Sequence, residues 1–149
     1  MTLTEIQGNL FVAPNDFYLA HCISADFRLG AGIAIQFNET YDMRRKLFKL
    51  FPHPDDPFRG NEESYVGRAL LVDNVFNLVT KSKYYEKPTY NTLRQTLNDM
   101  KRQCTERDIK KLAIPRIGCG LDRLNWGEVK KSIKEIFADT DIEVAVFYL

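Results

Sequence analysis

The sequence predicts an α/β protein with three α/β/α layers around a mixed central sheet of about six strands. Two observations lead to this fold class. Short apolar runs alternate along the chain with segments in which apolar residues recur every three or four positions, as in amphipathic helices. In addition, two of the apolar runs lead into a glycine loop and then a helical pattern, at residues 24–32 and 115–124. With 149 residues, the chain suits a single domain over residues 1–149.

The first half of the chain contains two predicted strands, one helix and one polar loop. Residues 3–10 fit an edge strand that runs into a turn at its end, and residues 18–23 fit a buried strand. A helical pattern extends from residue 31 to about residue 51. Its expected core residues are Ile35, Leu47 and Leu50. Residues 51–64 are rich in proline and acidic residues, so we expect an exposed loop there.

The second half predicts a hairpin followed by two helices and two strands. Residues 65–72 and 75–80 form the hairpin, and residues 89–107 give the clearest helical pattern. A strand at residues 111–114, a helix at 126–138 and a terminal strand at 142–148 follow. The helical residues expected to face the core are Leu93, Leu97, Met100, Cys104, Val129, Ile133, Ile136 and Phe137.

Composition and charge exclude several classes of protein. The net charge of +1 gives no global attraction to nucleic acid or membranes, and no apolar run approaches the length of a membrane span. The three cysteines are odd in number and none form a C-x-x-C pair, so a disulfide framework is not expected. Since no basic-then-apolar leader is present either, we expect a nuclear or cytoplasmic protein.

Chemistry-bearing residues cluster where predicted strands end. Ligands of open α/β sheets bind beyond the carboxyl ends of strands, and residues 24–32, Thr80 with Lys81, and residues 118–122 all lie there. Glycine loops that precede helices suit a phosphate group. A deprotonated lysine attacks sugar carbons, and a carboxylate such as Asp122 can act as general acid and base. By spacing alone, Lys81 also fits a solvated strand end and Asp122 a helix start.

Other catalytic chemistries find little support in the sequence. The chain has only two histidines and no metal-ligand spacing, and neither a G-x-S-x-G turn nor a Walker A motif is present. His21 and Cys22 are neighbours in a predicted strand, so their side chains point to opposite faces. We therefore expect His21 to be structural and not the partner of a cysteine nucleophile.

Five stretches of the chain carry a family resemblance. They are LAHCIS at 19–24, RLGAGIA at 28–34, TK at 80–81, KPTY at 87–90 and PRIGCGLDRL at 115–124. Together they resemble the macrodomain family and, more narrowly, its terminal ADP-ribose protein glycohydrolase branch. The similarity covers nearly the whole chain apart from residues 51–64. The motif at 115–124, with Trp126 after it, is its most specific part.

The resemblance implies a pocket for ADP-ribose. The loop at residues 24–33 would wrap the distal ribose and one phosphate, and the backbone of residues 117–121 would hold the diphosphate. The adenine would lie against residues near the two chain ends. The implied substrate-binding residues are Asn9, Leu10, Ser24, Gly30, Ala31, Gly32, Ile33, Thr80, Ile117, Gly118, Cys119, Gly120, Leu121, Phe147 and Leu149.

The resemblance also implies a reaction. The catalytic lysine of the family matches Lys81 and its catalytic aspartate matches Asp122. The implied enzyme is a hydrolase that removes ADP-ribose from acidic side chains of modified proteins through a lysyl–ADP-ribose intermediate. Since no extra coiled or amphipathic element argues for assembly, we expect a monomer. The same pocket would also deacylate O-acyl-ADP-ribose. No metal or organic cofactor is implied, and the partners would be ADP-ribose and ADP-ribosylated proteins.

Three alternative functions remain open at this point. The same pocket could bind ADP-ribose on a partner without cleaving it, or act as a phosphatase on ADP-ribose 1″-phosphate. A nucleic-acid-binding function would use the basic clusters at residues 44–46 and at Lys130, Lys131 and Lys134. Such clusters on helices are more often solvated surfaces.

Asn9 departs from the family pattern and generates a prediction. The family usually has aspartate after the first glycine, where it accepts a hydrogen bond from the adenine amino group, whereas this chain has Gly8-Asn9. A neutral acceptor replaces a charged one, which is worth about 1 kcal/mol. The Asn9→Asp variant should therefore bind ADP-ribose about fivefold more tightly in calorimetry. Unchanged or weaker binding would contradict this role for Asn9.

Overall fold

The structure is a computed structural model that describes residues 1–51 and 65–149. Within these residues, six strands form one mixed sheet in the order β1-β6-β5-β2-β4-β3, and only the β3–β4 pair is antiparallel. The strands are β1 (Thr2–Gln7), β2 (Tyr18–Ser24), β3 (Ala69–Val72), β4 (Val75–Lys81), β5 (Lys111–Ile114) and β6 (Glu143–Tyr148). The helices are α1 (Ile33–Tyr41), α2 (Met43–Leu50), α3 (Tyr90–Arg107) and α4 (Trp126–Phe137), with a short 3₁₀ helix at Leu10–Val12.

Helices cover both faces of the sheet, which confirms the predicted three layers. On one face, α3 and α4 pack over β4, β5 and β6, and on the other, α1 and α2 pack over β2, β3 and β4. Both faces bury continuous apolar clusters, so the central strands are apolar on both sides, as expected for parallel strands. No helix in the described part of the chain is long and apolar enough to cross a bilayer.

The helix that follows β2 differs from the sequence prediction. The predicted single helix over residues 31–51 is divided into α1 and α2 by Asp42, which adopts a left-handed conformation with φ of 54°. The break changes which side chains face inward. Phe37, Met43 and Leu47 are buried, whereas the predicted core residues Ile35 and Leu50 are 43% and 57% exposed. Aspartate tolerates the left-handed region better than most residues, which makes such a break possible without glycine or proline.

Two predicted strand boundaries also need correction. β1 ends at Gln7 and not at residue 10, because Leu10 begins the 3₁₀ helix. β3 begins only at Ala69, because residues 65–67 form a turn in which Gly67 has φ of 92°. The hairpin over residues 73–74, the edge position of β1 and the inward faces of α3 and α4 are confirmed. Of the loop predicted at residues 51–64, residues 52–64 lie outside the described part.

The helices differ in how their first turns are satisfied. Thr89 caps α3 through a reciprocal pair of hydrogen bonds with Thr92, and Asn125 caps α4 by accepting from the N–H of Glu128. The N-cap residue of α1 is Gly32, which has no side chain to cap the helix. The N-terminus of α1 therefore keeps its backbone donors available, and it points to the edge of the sheet where β2 ends.

His21 is part of the core between the sheet and α1. Its ring stacks on Phe37 with 3.9 Å between centroids, and its Nε2 lies 2.6 Å from Oδ1 of Asn77. Since the amide of Asn77 donates to Leu70 O, its Oδ1 accepts, so Nε2 of His21 carries the proton. Nδ1 is buried without a partner among the described residues. The predicted structural role of His21 thus has a clear local basis.

Acid should destabilise the fold through His21. Burial lowers the pKa of His21 to about 4, because a charged ring would have no acceptor at Nδ1. Between its ordinary value near 6.5 and pH 4, the unfolded chain binds a proton that the folded chain does not, so stability falls as pH falls. The loss attributable to His21 is about 3 kcal/mol.

Urea unfolding at pH 7 and pH 4 measures this effect. The His21→Gln variant keeps a donor for Asn77 but has no titrating group. The free energy of unfolding should therefore decrease more for the wild type than for this variant over the same pH interval. Equal decreases in the two proteins would show that His21 does not carry the acid sensitivity.

Candidate functional site

A cavity of about 490 Å³ opens at the carboxyl ends of β2, β4 and β5. These three strands are neighbours in the sheet and run parallel, so the loops that follow them meet at one edge. The cavity size is in the range of small-molecule sites. It is lined by Cys22, Ile23, Ser24, Arg28, Leu29, Gly30, Ala31, Gly32, Ile33, Ala34, Lys81, Tyr84, Pro115, Arg116, Ile117, Gly118, Gly120, Leu121 and Asp122.

Lys81 and Asp122 form an ion pair in the wall of this cavity. Nζ of Lys81 donates to Oδ1 of Asp122 over 2.7 Å, and the two side chains are only 15% and 16% exposed. Lys81 ends β4 and Asp122 follows β5, so the pair spans the end of β2, which lies between these strands. The structure thus brings together the two residues that the sequence singled out for chemistry.

A β-bulge explains how Lys81 reaches the cavity. Ile23 pairs with Val79, but the next residue, Ser24, pairs with Lys81, so Thr80 is skipped in the ladder. Bulges change the direction of the side chains that follow them. Thr80 is buried, and its hydroxyl has no partner among the described residues, whereas Lys81 lines the cavity.

Backbone N–H groups without an acceptor among the described residues lie in both loops that line the cavity. In one loop, the N–H groups of Gly30, Ala31 and Gly32 donate to no acceptor in the described residues, and the uncapped first turn of α1 follows them. In the other loop, the same holds for Gly120 and Leu121. Unpaired N–H groups at a helix start and in a turn form a site for an anion such as phosphate.

The two glycine loops approach each other closely. A Cβ atom on Gly32 would lie 3.7 Å from Cδ1 of Leu121, and Gly32 has φ of 61°. In the second loop, Gly118 has φ of 73°, and its carbonyl accepts from the N–H of Leu124 over 2.7 Å. Lys87 then fixes this loop from outside by donating to the carbonyl of Leu121 over 2.8 Å. Gly32 and Leu121 thus bring the two loops together beside the cavity that both loops line.

Asp26 connects two walls of the cavity mouth, and sequence analysis missed it. Its Oδ1 accepts from Oγ of Ser24 over 2.5 Å and from the N–H of Arg28 over 3.1 Å. Its Oδ2 accepts from the N–H of Tyr84 over 2.9 Å. The loop after β2 is therefore fixed to the segment that follows Lys81.

Arg28 and Tyr84 line the cavity and were also missed. The guanidinium of Arg28 lies 4.5 Å from the centroid of the Tyr84 ring. An aspartate two residues before Arg28 is a common turn pattern, and two adjacent tyrosines in a polar segment are unusual on a surface. These signals were present in the sequence but do not by themselves indicate that the two segments meet.

Six of the predicted binding residues do not line the cavity: Asn9, Leu10, Thr80, Cys119, Phe147 and Leu149. Leu10 is buried in the core, Cys119 packs against the α3/α4 core, and Leu149 is 97% exposed. Asn9 caps the 3₁₀ helix by accepting from the N–H of Phe11. Except for Thr80 and Cys119, these residues follow or end β1 and β6, which run parallel to β5. They therefore lie at the same edge of the sheet but outside the cavity wall.

Arg116 connects the cavity with this outer group. Its guanidinium lies 4.3 Å from the ring centroid of Tyr148 on β6 and 5.9 Å from that of Trp126. It also forms an ion pair with Glu5 of β1 over 3.3 Å. Arg116 is thus fixed between the cavity and the ends of β1 and β6.

The cysteines at the site are poor nucleophiles. Burial, together with the nearby charge of Asp122, raises the pKa of Cys22 to about 12, and burial raises the pKa of Cys119 to about 11. Both remain thiols at neutral pH. No group of three or more histidine, cysteine, aspartate or glutamate side chains in the described residues could hold a metal ion. Within the cavity, Lys81 and Asp122 are therefore the pair with reactive chemistry.

Solved structures share this fold over the full chain. The macrodomain of Mycobacterium tuberculosis DarG has a TM-score of 0.82 at 21% identity, covering 99% of this chain and 98% of that one. The macrodomain of Thermus aquaticus DarG has a TM-score of 0.81 at 24% identity, covering 99% of each chain. Among curated proteins, ADP-ribose glycohydrolase OARD1 of Homo sapiens is 36% identical over 151 residues, covering 99% of this chain and 91% of the human protein.

The chain belongs to the macrodomain family. Its similarity to the human protein assigns it to the terminal ADP-ribose glycohydrolase branch. No protein-family model matches the sequence, so the assignment depends on these individual relatives and on the fold.

Gly118 is expected to be essential for the shape of this macrodomain's second loop. In Gly118→Ala, the added Cβ would lie 2.9 Å from Cδ1 of Leu124, at a backbone φ that disfavours alanine. We expect the free energy of unfolding to fall by about 1–2 kcal/mol. Gly120→Ala is the matched control, because a Cβ there meets nothing within 4 Å. Urea unfolding should separate the two variants, and equal stability would contradict the constraint.

Proposed function

We propose that this macrodomain is an ADP-ribosyl hydrolase that removes ADP-ribose from acidic side chains of modified proteins. The observation that carries the proposal is the Lys81–Asp122 pair, with its 2.7 Å contact in the wall of a cavity of ligand size. The relatives support it, since the human protein is named an ADP-ribose glycohydrolase and a Thermus aquaticus relative a DNA ADP-ribosyl glycohydrolase.

The proposed ligand fits the donors of the cavity. The diphosphate would lie between the N–H groups of residues 30–32 and those of residues 120–121, and the positive end of the α1 dipole would add to the attraction. The distal ribose would then extend along the cavity wall to Lys81. The adenine would extend the other way, past Arg116 toward the ends of β1 and β6, where Asn9 and Phe147 lie.

Lys81 would act as the nucleophile. In the proposed reaction, its neutral amine attacks the anomeric carbon of the distal ribose, and the bond from that carbon to the ester oxygen breaks. The carboxylate of the protein side chain leaves with the bonding electrons, and a lysyl–ADP-ribose intermediate forms. Lys81 lines the cavity with its side chain only 15% exposed, so its amine lies where the distal ribose of the ligand would be.

Asp122 would move the protons. Its carboxylate accepts the proton that Lys81 must lose, since Nζ already donates to it. In the second half of the reaction, water bonds to the anomeric carbon, and the bond from that carbon to Nζ of Lys81 breaks with its electrons returning to the nitrogen. Asp122 gives its proton to the freed amine, and the proton that water loses passes to solvent, so ADP-ribose, Lys81 and Asp122 are restored. The same pair would also serve in the deacylation of O-acyl-ADP-ribose, which is part of the proposed function.

The basic clusters give no comparable support to nucleic-acid binding. Arg45 and Lys46 are paired with Asp42 and Asp73, and Lys130 is paired with Glu5. Arg44 donates its Nε–H to the carbonyl of Phe27. These side chains are occupied by intramolecular contacts, as is usual for charges on helix surfaces.

A release assay tests the proposed function. A peptide carrying ADP-ribose on glutamate is incubated with the wild type, Lys81→Ala and Asp122→Ala, and with Lys83→Ala as a lysine control on the same segment. We expect release to fall by roughly 1,000-fold or more without Lys81 and by roughly 100-fold or more without Asp122. Lys83→Ala should release ADP-ribose at close to the wild-type rate. Mass spectrometry of Asp122→Ala should detect a lysyl adduct.

Two results would replace the proposal. If the wild type releases nothing but binds ADP-ribose in calorimetry, the protein is a binding module, and Lys81 is part of a pocket wall. If it instead liberates phosphate from ADP-ribose 1″-phosphate and leaves the glutamate ester intact, the protein is a phosphatase.

A further inference from the structure

Among the described residues, three cationic side chains line the cavity, and one of them has no carboxylate partner there. Lys81 is paired with Asp122, and Arg116 is paired with Glu5. Arg28 forms no ion pair, and its guanidinium makes no hydrogen bond, with any residue in the described part of the chain. Arg28 is therefore the cation of the cavity that is available to an anion from outside the protein.

The position of Arg28 is fixed although it is exposed. Its guanidinium lies 4.5 Å from the ring centroid of Tyr84, and the backbone N–H groups of both residues donate to the single carboxylate of Asp26. Stacking on an aromatic face leaves the N–H edge of a guanidinium free to bind a carboxylate through two hydrogen bonds. Less side-chain freedom is then lost when the anion binds.

The location of this pair indicates which anion it meets. Tyr84 lies three residues after Lys81, and both line the same cavity. The donors suited to the diphosphate follow in the same loop at residues 30–32 and lie also at residues 120–121. Asp26 holds the loop of Arg28 to the segment that follows Lys81, so the Arg28–Tyr84 pair borders the part of the cavity that Lys81 lines.

We propose that Arg28, held by Tyr84, binds the carboxylate that leaves the distal ribose and thereby selects acidic side chains as the modified residue. This inference rests on the proposed hydrolase function. When Lys81 attacks the anomeric carbon, the carbon–oxygen bond breaks, and the carboxylate takes both bonding electrons. The proton that Lys81 gives up to become a neutral nucleophile goes to Asp122 before the attack, and the new carbon–nitrogen bond leaves the nitrogen as a secondary ammonium. Arg28 donates to the new carboxylate and is not itself changed.

The charges at the site give a physical reason for this role. Once Lys81 has passed its proton to Asp122, the amine is neutral and Asp122 is an uncharged acid, so neither side chain is a cation when the attack begins. The leaving carboxylate nevertheless develops a negative charge, which is costly where no opposite charge meets it. A cation is needed on the side of the leaving group, and Arg28 provides it.

The same contact disfavours a nucleobase at this position. The guanidinium of Arg28 covers a face of the Tyr84 ring, so a base cannot stack on that face.

Single-turnover release from two substrates tests the inference. One substrate is a peptide carrying ADP-ribose on glutamate, and the other is a single-stranded oligonucleotide carrying ADP-ribose on a base. The variants are Arg28→Gln, Arg28→Lys, Tyr84→Leu and the double variant Arg28→Gln/Tyr84→Leu. Arg107→Gln is the charge-matched control. Arg107 is exposed at the end of α3, near the start of β5, and so lies at the edge of the sheet opposite the cavity. Calorimetry gives the Kd of free ADP-ribose for each protein.

The expected result separates chemistry from nucleotide binding. Arg28→Gln should lower the rate with the glutamate peptide by roughly ten- to a hundredfold, and the Kd of ADP-ribose should change less than about threefold. Arg28→Lys should retain part of the rate, because it keeps the charge but loses the paired donors. The release rate should fall less in Tyr84→Leu than in Arg28→Gln. The double variant should be no slower than Arg28→Gln alone, because both changes act on the same Arg28–Tyr84 contact. Arg107→Gln should match the wild type.

Four results would overturn the inference. Unchanged release in Arg28→Gln would make the guanidinium a solvated surface group. A parallel loss of ADP-ribose binding would make it a nucleotide-binding residue. An equal loss with the oligonucleotide substrate would remove the selectivity for acidic side chains. In each of these cases an active wild type leaves the hydrolase function standing, whereas a wild type that releases nothing overturns both proposals.

Discussion

The ion pair between Lys81 and Asp122 determines much of the local structure around it. Each side chain is largely withdrawn from water, and removal of one partner would leave the other as an uncompensated charge. To form the pair, β4 must bulge at Thr80 and the loop after β5 must turn back at Gly118. Both deviations from regular structure occur at the ends of strands that the core holds rigidly. The sheet thus provides a fixed frame, and the irregular backbone is confined to the edge where the pair lies.

Asp26 has a comparable role at the cavity mouth. One carboxylate accepts from a hydroxyl and two backbone N–H groups that belong to two different loops. Hydrogen bonds to an ionised acceptor are stronger than neutral ones, so this contact resists separation of the two loops. Arg28 and Tyr84, whose backbone N–H groups donate to Asp26, can consequently have exposed side chains and still keep a defined position.

The sequence predicted the order of the elements, the three layers and the meeting of three strand ends at one edge. Those features follow from periodicity and from the geometry of parallel sheets, which are local or general properties. The break at Asp42 was missed because an aspartate adopts the left-handed conformation there, and no glycine or proline marks the position in the sequence. The contact between Arg28 and Tyr84 was missed because it joins residues far apart in the chain. The Lys81–Asp122 pair was found because Lys81 directly follows a predicted strand, Asp122 follows the glycine loop after another, and both match a known motif.

The site is formed by main-chain N–H groups in one part and by exposed side chains in another, and this has an evolutionary consequence. Main-chain N–H groups that have no acceptor among the described residues lie in the two loops that line the cavity, and a point mutation cannot delete a main-chain donor unless it introduces proline. The mouth, in contrast, is made of exposed side chains such as Tyr84 and Arg28, which a single codon change replaces. Substitutions therefore change the main-chain anion donors little, whereas the side chains at the entrance can diverge freely. A lineage of such proteins could exchange one attached target for another and still retain the same nucleotide.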